Sequence, residues 1–306
     1  MRIPKSSDFI ERELLQANRT LGKYFKSDAI IIKSPIRFGL DTKIRTEIEN
    51  LHQNKKSRPN TLSVIIETEG GYIEVVERIY NVLRKHYQIV EFIVPNYAYS
   101  AGTVLVLSGD EIYMDYYSVL GPIDPQMENE NDRFVSGLGY LSKFEELAEK
   151  INQEPDPTKT RAELAYLLKK FDPAELFDLE QARTHSEDLL EIWLSQHKFK
   201  DWVQTETTGN PVNEDARKAR AKSIAQILGN PKRWHSHGRG IGLKELTNEE
   251  IKLKIIDFGL DVDLNRNIRS YYELFIDYTG KIGLSSAIHT QNGSSSRLSY
   301  THPSYR

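Results

Sequence analysis

The chain has no cysteine, which excludes a thiol nucleophile, a disulfide framework and a thiolate metal site. Neither sign of charge prevails: 41 Lys and Arg stand against 44 Asp and Glu, for a formal net charge of −3. No broad basic field is available to draw the chain to nucleic acid or to an anionic membrane. Long apolar runs are missing as well. The longest, such as Thr103 to Leu107, cover a few residues, against the roughly 20 that a membrane helix needs. Residues 1–28 scatter charges among their apolar positions and lack the unbroken stretch of a secretory signal. These absences set the expectation of a cytoplasmic protein with no nucleic-acid or membrane partner. What is present is a globular composition, 306 residues with 39% hydrophobic and 28% charged, enough for a packed core.

Periodicity divides the chain. Ile10, Leu14, Leu21 and Phe25 share one helical face, so residues 1–28 are expected to form an N-terminal helix. Residues 29–150 alternate short β-branched runs with amphipathic helices. The runs are Ala29 to Ile32, Leu62 to Ile66, Ile89 to Val94 and Glu111 to Met114. Strand, turn, helix, strand is the pattern of parallel β/α units with right-handed crossovers. Residues 151–290 read as mainly helical, with a helix start at Asp172-Pro173 and Glu175, and a capping box at Thr247 and Glu250. The Ser-rich tail 291–306 is expected to be disordered.

Two loops stand at carboxyl ends of strands, where open α/β sheets place ligand sites. Gly70-Gly71 offers backbone N–H groups with no Cβ in the way. Ser100-Ala101-Gly102 opens a helix, so that the Ser100 hydroxyl, the Ala101 N–H and the positive helix end face one space. A hydroxyl beside paired N–H donors is the equipment of acyl transfer. Singly, a serine at a helix start is an N-cap and Gly-Gly is a tight turn. Together at successive strand ends they are far more specific.

Thr68-Glu69-Gly70-Gly71, then Pro95-Asn96-Tyr97-Ala98-Tyr99-Ser100-Ala101-Gly102, then Leu120-Gly121-Pro122-Ile123-Asp124-Pro125-Gln126 resemble the Clp-fold serine peptidases. The stretch is most similar to the serine dehydrogenase proteinase branch, relatives of signal peptide peptidase A. The resemblance implies an α/β fold of ClpP/crotonase type, stacked ββα units with a helical C-terminal portion. It implies a serine peptidase with Ser100 as nucleophile and an oxyanion hole from Gly70, Gly71 and Ala101. It also implies a homo-oligomer that admits peptide or unfolded protein substrates, with no cofactor and no metal. Glu69 departs from the pattern, since relatives tend to carry proline there, and it sets a carboxylate beside the proposed hole.

Clp proteases use a downstream histidine as base, but none occurs here between His86 and His185. Signal peptide peptidases use a lysine, and Lys143 is the first lysine after Ser100. A lysine of ordinary pKa, about 10.4, is protonated at neutral pH, so this role demands a dry pocket. Leu141, Phe144 and Leu147 are candidates for its wall; Lys150 and Lys159 are the alternative bases. Asp124 is expected to brace its own turn. His237, beside His235, is expected to have a substrate-side or structural role, since one His-x-His without a third ligand is weak as a metal site. Two rivals share the scaffold: a crotonase-type acyl-CoA enzyme and a non-catalytic peptide-binding subunit.

Overall fold

The structure is a computed structural model, described here for residues 6–53, 59–123, 126–128, 134–156, 158–205, 208–234 and 238–295. Asp124, His235 and His237 lie outside the described residues. The first half of the chain forms α1 (Ser6–Phe25), β1 (Asp28–Lys33), α2 (Leu40–Gln53), β2 (Thr61–Glu67), α3 (Ile73–His86), β3 (Ile89–Ile93) and β4 (Tyr97–Ala98). It continues with α4 (Ala101–Leu107), β5 (Glu111–Met114), β6 (Val119–Leu120), β7 (Gln126–Glu128), β8 (Phe134–Ser136) and α5 (Gly137–Gln153). Then come α6 (Arg161–Lys170), α7 (Pro173–Trp193), a π-turn at Leu194–Lys198, α8 (Glu214–Leu228) and α9 (Pro231–Trp234). The chain closes with β9 (Ile241–Gly242), α10 (Leu243–Thr247), β10 (Ile256–Asp257), α11 (Val262–Lys281), β11 (Ala287–Thr290) and β12 (Gly293–Ser295).

The main sheet runs β10-β5-β3-β2-β1-β11-β12. Strands β1, β2, β3, β5 and β10 are parallel, and β11 returns antiparallel on β1. Both faces are covered, as a parallel sheet requires. The pleat decides which face each side chain meets. Ile30, Ile32, Val64, Ile66 and Phe92 enter the larger core with α2, α3, α4, α7 and α8. Ile31, Ile65 and Ile93 turn the other way, under Leu14 and Leu21 of α1 and Tyr271 and Phe275 of α11. Each buried aliphatic of this kind is worth about 1.5–3 kcal/mol.

A second small sheet, β4-β6-β9, sits on the carboxyl side of the main one. Strands β3 and β4 are followed by α4, and β5 by β6, so the main strands alternate with short partners in the manner of stacked ββα units. The expected α/β class is therefore what the chain adopts. The start of α7 is as read: Asp172 caps it by accepting from the Ala174 N–H at 2.7 Å, with Pro173 next. Two readings are corrected: Gly293–Ser295, in the tail expected to be disordered, form β12 on β11, and the expected capping box is not formed. Thr247 closes α10, its hydroxyl bonding back to the Leu243 carbonyl at 2.8 Å, and no helix follows; Asn248 instead braces the turn to Ile251. The C-terminal portion also supplies strands to both sheets, through β9, β10, β11 and β12.

His289 of β11 is fully buried, with Nδ1 2.6 Å from the Tyr271 hydroxyl. Burial disfavours its charged form and lowers its pKa from 6.5 to about 4. Above pH 6.5 both folded and unfolded chains hold it neutral, and it contributes nothing. Below that the unfolded chain takes up a proton that the folded chain refuses, so stability falls as pH drops toward 4. Between pH 7 and 5 this histidine should remove about 2 kcal/mol of stability. Denaturant titrations at the two pH values, with His289→Gln for comparison, check it: the variant should lose most of that pH dependence.

Candidate functional site

The site is built where the loops after β2 and β3 meet. Thr68 zips them together: its N–H donates to the Tyr97 carbonyl at 3.2 Å and its carbonyl accepts from Tyr99 N–H at 2.9 Å. Beyond it the chain makes a glycine pair with φ of 91° at Gly70 and 148° at Gly71, conformations that side chains rarely adopt. Space forbids a side chain too. A Cβ on Gly70 would lie 2.6 Å from the Tyr99 carbonyl oxygen and 2.8 Å from the Cβ of Ser100. A Cβ on Gly71 would lie 2.0 Å from the Ile36 carbonyl oxygen. The glycine pair therefore passes directly between Ile36 and Ser100, and no other residue type fits.

Four of the sequence-nominated positions, Gly70, Gly71, Ser100 and Ala101, are thus brought together, and the N–H groups of Gly70, Gly71 and Ala101 are distinguishable. Gly70 N–H donates to Thr68 Oγ1 at 3.1 Å. Ile36 pairs with the glycine strand, its N–H donating to the Gly70 carbonyl and its carbonyl accepting from Tyr72 N–H. Gly71 N–H and Ala101 N–H have no acceptor among the described residues. Gly70 therefore shapes the wall, while Gly71 and Ala101 keep free donors.

Ser100 has φ 52° and ψ −122°, a sparsely populated conformation for a residue with a Cβ. It is a strand-to-helix turn of the strained kind that lifts a hydroxyl clear of its sheet. Its side chain makes no capping hydrogen bond, so the ordinary explanation for a serine at a helix start does not apply. Thr103, which sequence reasoning missed, holds the turn from behind. Its hydroxyl bridges the Ala98 carbonyl at 2.8 Å and the Gly121 carbonyl at 2.9 Å. Gly102 packs against Thr68: a Cβ there would lie 2.3 Å from the threonine methyl.

Aromatic side chains border the turn. Phe38 and Tyr72, both exposed, lie with ring centroids 5.0 Å apart beside the glycine pair. Tyr97 stacks on Tyr99 at 5.0 Å just before Ser100. Burial, with Glu67 and the exposed Glu69 nearby, pushes the Tyr97 hydroxyl up to about 12. It stays protonated at neutral pH and cannot act as a base there.

Lys143 stands in α5 with its amine turned to solvent. Its side chain is 53% exposed and its amine pairs with Glu146 at 2.9 Å. Two residues of the expected apolar wall, Leu141 and Phe144, pack with Phe171, Leu176 and Leu179 into a small cluster of their own. Lys143 lies between those positions on α5, so the same packing turns it outward. Lys150 and Lys159 are likewise exposed and paired with Glu163 and Glu154. Among the described residues no group of three potential metal ligands occurs, and no helix is long and apolar enough to cross a membrane.

Comparison with known proteins bears on the same segment. Residues 46–143 match the family described as ClpP-like SDH-type serine proteinase. Two uncharacterized proteins of Methanocaldococcus jannaschii are similar in sequence. MJ0137 is 42% identical over 72 residues, 24% of this chain and 24% of its own length. MJ1495 is 41% identical over 93 residues, 30% of each. The matched stretches thus span less than a third of those relatives. Among solved structures, a mutant of the 1510-N membrane-bound stomatin-specific protease is similar with TM-score 0.44 and 11% identity, over 77% of this chain and 79% of that one. ClpP1 from Listeria monocytogenes gives 0.39 and 9%, over 80% and 95%.

The strain at Ser100 is measurable. Ser100→Gly should be more stable than Ser100→Ala by about 1–2 kcal/mol, because glycine adopts the turn freely whereas alanine keeps the Cβ. Chemical denaturation of the two variants reads the difference directly.

Proposed function

We propose that the chain is a serine endopeptidase that cleaves unfolded or short polypeptides through an acyl-enzyme on Ser100. The observation that carries this reading is the strained, uncapped Ser100, packed against Gly70 and flanked by two free N–H groups. Peptide hydrolysis needs these parts. The hydroxyl attacks the scissile carbonyl, and the oxygen that becomes negative accepts from Gly71 N–H and Ala101 N–H. Each such donor is worth about 3 kcal/mol in the transition state. The match of residues 46–143 to a serine proteinase family supports the same chemistry.

The base in this reading is Lys143, acting as the neutral amine that takes the Ser100 proton and later activates water. In the single chain its amine is solvated and held by Glu146, so the dyad requires α5 to be carried to the site. Assembly into a homo-oligomer that encloses the sites would supply both that movement and the dry surroundings the amine needs. Asp124 would brace the turn after β6, and His237 would border the substrate. No cofactor enters the mechanism.

The solvated Lys143 also favours a second reading, a peptide-binding subunit that keeps the fold without the chemistry. A crotonase-type acyl-CoA enzyme would use the same N–H pair but not the hydroxyl.

Hydrolysis of a quenched fluorescent casein or peptide by the assembled protein separates these readings. Ser100→Ala should lower kcat by at least about 10³-fold with the fold intact, since only the nucleophile is lost. Lys143→Ala should do the same, whereas Lys150→Ala and Lys159→Ala should stay within about threefold of wild type. A Ser100→Ala variant that hydrolyses as well as wild type removes the serine mechanism. A wild type that binds peptide and never cleaves it establishes the second reading.

A further inference from the structure

Helix α11 lies far beyond the matched family segment, yet two of its residues reach the base of the site. Arg269 and Tyr272 are three positions apart and so share one helical face. The Tyr272 hydroxyl donates to Glu67 Oε2. Asn96 Nδ2 donates to the same Oε2 at 3.0 Å and to the Tyr272 hydroxyl at 3.0 Å. Arg269 donates to the Pro95 carbonyl at 2.6 Å and pairs with Asp115. Asp115 in turn accepts from the N–H groups of Tyr117 and Ser118 and from the Ser118 hydroxyl.

These partners are the last residues before each functional loop. Glu67 ends β2 and precedes Thr68, whose backbone registers the nucleophile strand. Asn96 precedes β4, and its carbonyl accepts from the Val119 N–H of β6 at 2.8 Å. Asp115 follows β5. The Glu67–Asn96 side-chain bond extends the backbone ladder made by Thr68 with Tyr97 and Tyr99, one residue further from the site. Glu67 and Asp115 are buried, so their oxygens have no water to fall back on and depend on these donors.

We propose that Tyr272, with Arg269 beside it, is a positioning residue for the nucleophile: through Glu67 and Asn96 it holds the Thr68–Tyr99 ladder, and so the spacing of Ser100 from Gly71. This rests on the reading of Ser100 as nucleophile. Tyr272 touches no substrate and acts only through the loop it fixes. Burial and the Glu67 carboxylate push the Tyr272 hydroxyl upward, so it remains a donor at all working pH values. Its neighbour provides an internal control. Tyr271 is fully buried and bonds Asn18 of α1 and His289 of β11, not Glu67 or Asn96.

The test compares full-length Tyr272→Phe with Tyr271→Phe by peptide-resolved hydrogen–deuterium exchange and by peptidase kinetics. In Tyr272→Phe, exchange across residues 95–102 should quicken by about tenfold while β1 stays as protected as in wild type. Its kcat should fall by about tenfold with KM within about twofold, because a misplaced nucleophile loses rate more than binding. Tyr271→Phe should lower thermal stability and leave both readouts at wild-type values. If Tyr272→Phe fails to fold, Asn96→Ala cuts the same relay from the loop side and is read in the same way. Wild-type exchange at 95–102 in Tyr272→Phe, or the same quickening in Tyr271→Phe, overturns the proposal. A Ser100→Ala variant with wild-type activity would instead sink the nucleophile reading. An inactive Ser100→Ala beside a Tyr272→Phe of unchanged kcat would sink this inference alone.

Discussion

The structure turns on one contact: the backbone of Gly70 lies so close to Ser100 that a Cβ on the glycine would overlap the Cβ of the serine. Two loops from different strand ends are pressed together at a separation only hydrogen-substituted carbons permit. That closeness forces φ values on Gly70 and Gly71 that glycine alone accepts easily, and it is matched by an unusual φ at Ser100 itself. Strain of this kind persists only where the surroundings over-determine it. Here Thr68 fixes one loop to the other through its backbone, Thr103 pins the helix start, and Ile36 walls the far side of the glycine strand.

The small β4-β6-β9 sheet follows from the same requirement. The chain after β3 and β5 continues into β4 and β6, which pair with each other, and β9 closes the small sheet on β6. The loops so held are stiffer than ordinary surface connections, which suits a site whose donors must stand ready before the charge develops. The lysines nominated as base, Lys143, Lys150 and Lys159, are exposed and ion-paired in the single chain. The charged groups of α5 belong to a separate helical cluster, with their own apolar packing and their own ion pairs. Ser100 and the free N–H groups of Gly71 and Ala101 are thus held by the packing of the main core, while Lys143, the base in the proposed reading, stands on a helix that packs in a cluster of its own.

Much of this was legible in the residues. The apolar runs marked β1, β2, β3 and β5 of the main sheet, most clearly β1 and β2, which are buried along nearly their whole length. Gly70-Gly71 and Ser100-Ala101-Gly102 marked the site, because close backbone approach leaves a compositional trace. Other features left none. Strands of two residues, such as β4, β6, β9 and β10, are too short for any periodicity. Thr103 reads as one more small residue in an apolar helix, and only the tertiary placement of Ala98 and Gly121 gives its hydroxyl a task. Thr247 and Glu250 satisfied a capping pattern, but Asn248 competed successfully for the local N–H groups. Lys143 was nominated by the family resemblance and by being the first lysine after Ser100, and neither tells whether a helix turns its lysine inward or outward. The reach of Arg269 and Tyr272 across the sheet edge is a long-range pairing that no local window contains.

The most direct measurement is an experimental structure of the assembled protein after reaction with a peptidyl phosphonate. The account predicts a covalent bond to Ser100 Oγ, with the phosphonyl oxygen about 2.7–3.1 Å from the N–H groups of Gly71 and Ala101. It also predicts an amine from α5 beside the modified oxygen. An adduct on another residue, or a phosphonyl oxygen turned away from both N–H groups, would contradict it.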